Sequence, residues 1–262
     1  MPRLKRLAHQ LGLIRGYQRM RQLRSLTLKG ALHMQMARRK YLRRVLQAQP
    51  VAADDGNIEV HMLLNQPRIF EGLWALYSFV HFAGQACRIV IHDDGSLGSR
   101  EMADLHQVFP GCQIISRQTA DSVVLGHFQD KSLERCAHLR KTLIFALKLF
   151  DPFFFSNSPR FVLLDSDVLF YSRPSELLAG LEETRENLSL PNLYSVDNGY
   201  RYCLDREELE VLLGQPCIEQ FNPGLIRVNR DVLVLDRIER YLEHPSFWNE
   251  DGTGNYYTEL TL

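Results

Sequence analysis

From Ile58 to Phe170 short apolar runs alternate with helix-length segments, and this alternation restricts the chain to one broad class of fold. IEVHMLL (Ile58–Leu64) reads as a buried strand. RIFEGLWALYSFVHFAG (Arg68–Gly84) has the length and apolar spacing of a helix, with Gly84 as its stop. CRIVIHDDGS (Cys87–Ser96) is a strand running into an acidic turn, Ser99–Phe109 a helix, and CQIIS (Cys112–Ser116) a short strand. CAHLRKTLIFALKLF (Cys136–Phe150) reads as one helix closed by Asp151 and Pro152. RFVLLDSDVLF (Arg160–Phe170) reads as a central strand ending in acids. The alternation predicts an α/β fold with a largely parallel sheet and helices on both faces. Ligands of such sheets bind at the carboxyl ends of the strands, where these acids fall.

The N-terminal segment differs in kind. Met1 to Pro50 contains thirteen Lys and Arg and neither Asp nor Glu, so the zero net charge of the 262 residues conceals a +13 segment followed by a −13 remainder. Leu4, Leu7, Leu11 and Ile14 recur at helical spacing. Ala31, Met34, Tyr41, Val45 and Leu46 form a looser second stripe beyond Gly30, which would separate two helices. Gln47–Asn57, with Pro50, small residues and paired acids, reads as a linker. The expected organisation is a basic helical extension over residues 1–50 and a globular domain over 51–262. Acid-free amphipathic helices suit an anionic membrane surface, or the acidic remainder of this chain or of a second copy. Binding of nucleic acid lacks support, because no aromatic interleaving or known motif accompanies the charge.

No run of 18 apolar residues occurs, and TLIFALKLFDPFFF is broken by Lys148 and Asp151, so no membrane span is expected. The N-terminus lacks the apolar stretch of a signal peptide, although it is Arg-rich and acid-free, as organelle transit peptides are. Five cysteines without CxxC spacing read as free thiols in a reducing compartment. Together these predict a cytoplasmic protein with peripheral contact at the inner membrane surface.

The chemistry concentrates in FVLLDSDVLF. Four apolar residues deliver Asp165, Ser166 and Asp167 to a strand end, and in an extended chain Asp165 and Asp167 project to the same side. Carboxylates that close repel unless a cation lies between them, and hard oxygen ligands suit Mg²⁺ or Mn²⁺. A strand-end turn carrying solvated acids is the plainer alternative.

FVLLDSDVLFYSRPSEL (Phe161–Leu177) resembles the DxD region of GT-A glycosyltransferases, family 8 in particular, where a strand reaches Asp-x-Asp and is followed by an apolar pair and a Pro-x-Glu-Leu helix start. FNPGLIRVNR (Phe221–Arg230), roughly fifty residues later, is similar to the family's Phe-Asn-Ser/Ala-Gly strand. The resemblance covers Ile58 to the end. It implies a GT-A fold, Rossmann-like, and a metal-dependent glycosyltransferase of hexosyltransferase type. The sugar would pass from a nucleotide-diphosphate donor, a UDP-sugar first among candidates, to an acceptor hydroxyl, with retention of configuration.

By the resemblance Asp165 and Asp167 bind Mn²⁺ or Mg²⁺ on the donor diphosphate, beside Ser166, and Asn222 and Gly224 lie near the transferred sugar. A plain Asn-Pro-Gly turn would also account for the last two. Asn65, at the first strand end, and Asp93 and Asp94 of HDDGS are the places where such enzymes touch the nucleotide, while an ordinary Asp-Gly turn accounts for the two acids equally well. Arg140 or Lys141, on the helix before the DxD strand, would reach donor phosphate or ribose. Asp197, in LYSVDNGY, and Glu259, in YYTELTL, are candidates on the catalytic and acceptor side, although Leu260 stands where the family's Glu-Gln-Thr has Gln. Family 8 enzymes also supply a third metal ligand, usually His, beyond that segment. This chain ends at Leu262, which leads to the expectation of a domain truncated at its C-terminus.

Two other classes stay open. A GT-A-like scaffold without catalysis could bind partners through its basic helices. A haloacid-dehalogenase-type phosphatase also uses Asp-x-Asp, but it would open its domain with that motif, and here about a hundred residues of α/β pattern precede it.

Overall fold

The computed structural model describes residues 28–53, 56–181, 191–197, 199, 201–218 and 220–262. The described residues fall into two compact units that divide between residues 48 and 49. In the first, helix α1 (Leu28–Leu46) has no acid in its first turn and places Arg43 and Arg44 in its last, where their charge complements the helix dipole. Gly30 lies inside α1 rather than separating two helices, and the stripe from Leu4 to Ile14 falls outside the described residues. Among the described residues no helix is long and apolar enough to cross a membrane.

The second unit is built on a sheet of six strands: β1 (Ile58–Leu64), β2 (Cys87–Asp93), β3 (Gln113–Ile115), β4 (Arg160–Leu164), β5 (Leu193–Val196) and β6 (Phe221–Asn229), in the order β3-β2-β1-β4-β6-β5. The first four are mutually parallel. β6 runs antiparallel to β4 and to β5. The connecting helices are α2 (Ile69–Ala83), α3 (Ser99–Val108), α4 (Glu134–Thr142) and α5 (Ala146–Phe155). This is the largely parallel α/β architecture expected from the alternation.

Both faces of β1 are covered, and its alternating side chains show how. Gly72 of α2 lies against Met62 and Leu64, so closely that a Cβ there would sit 2.6 Å from Leu64 Cδ1. The intervening residues Glu59 and His61 point to the opposite face, where α5 packs on β1 and β2 and where the Phe155 ring meets His92 at 6.0 Å between centroids. α2 ends at Gly84, whose φ of 63° is the left-handed cap conformation that favours glycine.

That second face holds a buried polar chain. Glu59 Oε1 accepts from His61 Nε2 at 2.6 Å, and His61 Nδ1 lies 2.8 Å from His92 Nε2. Burial holds both imidazoles below the ordinary histidine value. Glu59 opposes this at His61, while His61 and Arg140 add to it at His92. Both histidines therefore bind a proton more readily unfolded than folded. Stability should be fully present above an ordinary histidine pKa of about 6.5 and should fall as the pH drops below it. Urea midpoints between pH 5 and 8 check this. A profile that stays flat for His61→Asn with His92→Asn, where the unsubstituted chain slopes, assigns the effect to this chain.

Four readings of the sequence are corrected. The segment Cys136–Phe150 forms two helices, because Leu143 adopts an extended backbone (φ −118°, ψ 116°). The Thr142 hydroxyl is engaged sideways, donating to His138 O at 2.8 Å and accepting from Gly254 N at 3.2 Å, and Leu143 packs beneath Gly254. Pro152 lies within α5 instead of closing it. β4 stops at Leu164 rather than running to Phe170, and Asp165–Val168 turns, with Val168 N bonded to Asp165 O at 3.3 Å. Asp165 and Asp167 are thus presented by a turn, and same-side projection along an extended strand does not apply. Asn222-Pro223-Gly224 is no turn before a strand but lies inside β6, where the register against β5 jumps from Tyr194↔Ile226 to Ser195↔Asn222. Such a bulge accommodates a proline that cannot donate to the ladder.

Candidate functional site

The topology gathers most of the candidate residues at one end of the sheet. β1, β2 and β4 are parallel, so Asn65, Asp93 and Asp165 leave their strands at the same end. β6 is antiparallel and delivers its beginning there, with Leu225 opposite Leu164. β5 pairs antiparallel with β6, so Asp197 follows its last residue at that end too.

Asp165 is the hub. Its backbone N–H donates to Gly224 O at 2.8 Å, which ties the DxD turn to the β6 bulge. Gly224 N–H in turn donates to Asn222 Oδ1 at 2.7 Å. A Cβ on residue 224 would stand 2.9 Å from Asn222 Oδ1 and 3.3 Å from Asp165 Oδ2, so glycine keeps that side of the carboxylate open. Asp165 Oδ1 is bound by Lys148 Nζ at 2.6 Å, and Lys148 Nζ lies 3.5 Å from Glu259 Oε1. Asp167 is exposed, and Ser166 is half-buried.

Lys148 was not among the sequence candidates. It projects from α5 with its side chain only 7% exposed, and Glu259 is 10% exposed against 36% for Asp165. Burial works against the Lys148 charge, but the Glu259 and Asp165 carboxylates outweigh it and hold the ammonium above the ordinary lysine value. Burial pushes the Glu259 carboxyl up, Lys148 pulls it back in part, and the nearby Asp165 charge adds to the rise. One cation is therefore shared between two acids, and its loss would leave them facing each other. The signal in the sequence was a single lysine within an apolar helix, where an unpaired charge is costly.

The remaining candidates divide by how their polar atoms are used. Asp93 is buried and accepts from the N–H groups of Gly95, Ser96 and Leu97 at 2.8, 3.1 and 3.1 Å. Asp94 accepts from Ser96 N and Oγ at 2.9 and 2.5 Å. Asn65 Oδ1 accepts from Arg68 N at 3.1 Å. These side chains build the loops at the ends of β1 and β2, so a ligand there would meet the loop they shape. Asp197 is exposed and bonds Gly199 N at 2.7 Å. Lys141 is exposed on α4.

Arg140 is a correction. It is fully buried, with Nε and Nη2 on the two Asp151 oxygens at 2.7 and 2.9 Å and Nη1 on Asp121 at 2.5 Å. A guanidinium without exposed surface and with carboxylates on three nitrogens holds α4, α5 and the helical stretch 117–130 together.

Asp165 Oδ2, on the side that Gly224 leaves open, and the exposed Asp167 are hard oxygen donors of the kind a divalent cation takes, with its other ligands from water and substrate. Among the described residues no group of three His, Cys, Asp or Glu side chains is placed to hold a metal alone.

No family model and no curated protein matches this chain. Solved structures do resemble it. Mouse xyloside xylosyltransferase 1, in its apo form, superposes with a TM-score of 0.44 and 16% identity over 78% of this chain and 79% of its own. The galactosyltransferase LgtC, in complex with donor and acceptor sugar analogues, gives 0.47 and 12% over 78% and 69%. The mannosyltransferase PcManGT from Pyrobaculum calidifontis, in complex with GDP-Man and Mn²⁺, gives 0.32 and 15% over 85% and 60%.

Proposed function

We propose that this chain is a glycosyltransferase of the GT-A type that moves a sugar from a nucleotide-diphosphate donor to an acceptor hydroxyl. The observation that carries the reading is the joining of the two resembling motifs: Asp165 of the DxD turn is bonded to Gly224 of the Phe-Asn-Pro-Gly strand, with Asn222 folded over the same glycine. Segments far apart in sequence thereby form one corner at the carboxyl end of the sheet, where ligands of α/β folds bind.

In this reading Asp165, through its open oxygen, and Asp167 hold Mn²⁺ or Mg²⁺. The ion, when bound, neutralises charge on the leaving diphosphate. Lys148 orients Asp165 by a charge-assisted bond from a largely buried ammonium. Asn222 offers a donor and an acceptor to sugar hydroxyls, and Gly224 lets the backbone approach. Glu259, whose pKa burial raises, would exchange a proton with the acceptor hydroxyl.

The test is thermal unfolding of the purified chain with UDP or GDP, with and without Mn²⁺, beside Asp165→Ala/Asp167→Ala. A ligand at 100 times its dissociation constant adds about 2.7 kcal/mol. At roughly 2–4 °C per kcal/mol this is a rise of several degrees. A Mn²⁺-dependent rise that the double variant lacks supports the donor site. No rise across a nucleotide and nucleotide-sugar panel would sink the proposal and favour a scaffold without catalysis.

A further inference from the structure

Beside the Lys148–Glu259 pair opens a cleft of about 550 Å³ whose lining is unlike a sugar site. Its floor is the face of β4 and β6 that carries Leu163, Ile226 and Val228, and its walls include Tyr194, Tyr202 and Tyr241. At its rim Ile218, Val232 and Val234 are 48%, 44% and 44% exposed, an apolar mouth that water does not favour. Lys148 and Glu259 line the same cleft. Lys148 also binds Asp165, so one side chain of the cleft lining contacts the proposed site.

We infer that this cleft binds the acceptor, and that the acceptor is an amphiphile: a hydroxyl carried on an apolar alkyl body. The inference rests on the proposed transfer reaction for the role of that hydroxyl. A free oligosaccharide presents a hydroxyl on nearly every carbon and needs as many polar partners. Asn192, Gln215, Arg237, Thr261 and the three tyrosines add polar atoms to those of Lys148 and Glu259, but leucine, isoleucine, valine, phenylalanine and proline make up most of the lining, and a sugar hydroxyl desolvated against them would go unpaired. An alkyl chain has the opposite needs. It gains from every apolar wall, while its single polar end can settle where the charged side chains are. The volume lies in the range of small-molecule sites, which run from about 300 to 1,000 Å³.

The experiment compares n-octyl β-D-glucoside, below its micelle concentration, with methyl β-D-glucoside, by thermal unfolding and titration calorimetry on the whole chain. The two share a sugar and differ only in the tail. The octyl compound should bind at least about tenfold more tightly. Ile218→Asp and Val234→Asp, each made singly so that a folding failure in one leaves the other, should weaken octyl binding about tenfold or more. Both should keep the nucleotide response, because neither residue belongs to the donor corner. Equal binding of the two glucosides overturns the inference, as does an octyl effect that both variants retain. A dimer that Ile218→Asp abolishes and octyl glucoside does not displace also overturns it, since a second copy would then fill the cleft. If nucleotides bind and octyl glucoside does not, this inference alone fails. If octyl glucoside binds and nucleotides do not, the transfer reaction fails and an apolar binding site remains.

Discussion

Lys148→Met is expected to abolish measurable sugar transfer and to destabilise the fold by about 3 kcal/mol, because it removes the cation from a buried pair and leaves its partner unpaired. Methionine fills a similar volume, so packing alone explains little of the loss. With the ammonium gone, the buried Glu259 loses the group that favours its charged form, and Asp165, with its 36% exposed side chain, loses its orientation. The structural and functional parts separate in Lys148→Met/Glu259→Gln. The neutral pair should recover most of the lost stability, read as a urea midpoint, while nucleotide binding stays weak and transfer stays down by about 10²-fold or more. If the double variant regains transfer along with stability, Lys148 is a packing residue and the charge argument is wrong. Lys148→Arg should retain part of the nucleotide response, since it keeps the charge in a different shape.

Arg140→Met should produce the larger stability loss of the two, about 3–5 kcal/mol, with an unchanged denaturant slope. The Asp151 side chain is 2% exposed and would be left with both oxygens deprived of their guanidinium partner. Asp121 is over a third exposed and recovers water, so its share is small. The change should leave nucleotide affinity per folded molecule within about twofold, because Arg140 has no exposed surface from which to touch a ligand. A weakened nucleotide titration at temperatures where the variant is fully folded would return Arg140 to the donor site. Arg140→Met/Asp151→Leu should be less destabilised than the single change, since replacing both members of a buried pair removes the orphaned charge.

These two basic residues also mark what the sequence could and could not disclose. The strands were legible because an apolar run that reaches Asp93 or Asp165 needs no tertiary knowledge to be read, although the apolar Val168–Phe170 carried the reading of β4 past its end at Leu164. The parallel sheet follows from the length of the segments between the runs. Arg140 and Lys141 looked equivalent on a helix. Only the packing of α4 against α5 sends one inward to Asp151 and leaves the other in water. Lys148 stood in plain sight as an interruption of TLIFALKLF, yet its partners lie 17 and 111 positions away, beyond any local pattern. The turn chemistry of Asn-Pro-Gly favoured a reversal of the chain, and the sheet overrode it by absorbing the three residues in a bulge. Asp93 and Asp94 were correctly placed at a strand end, but their oxygens close the loop itself, which a count of acids does not show.

The two outermost strands have a consequence for solubility. Gln113–Ile115 and Leu193–Val196 are three and four residues long, and they flank much longer inner strands. An outer strand is a template on which another chain can add a strand, and the risk grows with the length of flat ladder offered. Here each margin exposes only a few N–H and C=O groups, and on one of them Gln113 is tied to Arg88 of the neighbouring strand at 3.0 Å. The sheet can thus carry long, apolar, parallel strands in its middle while giving little purchase for fibrous growth at its sides.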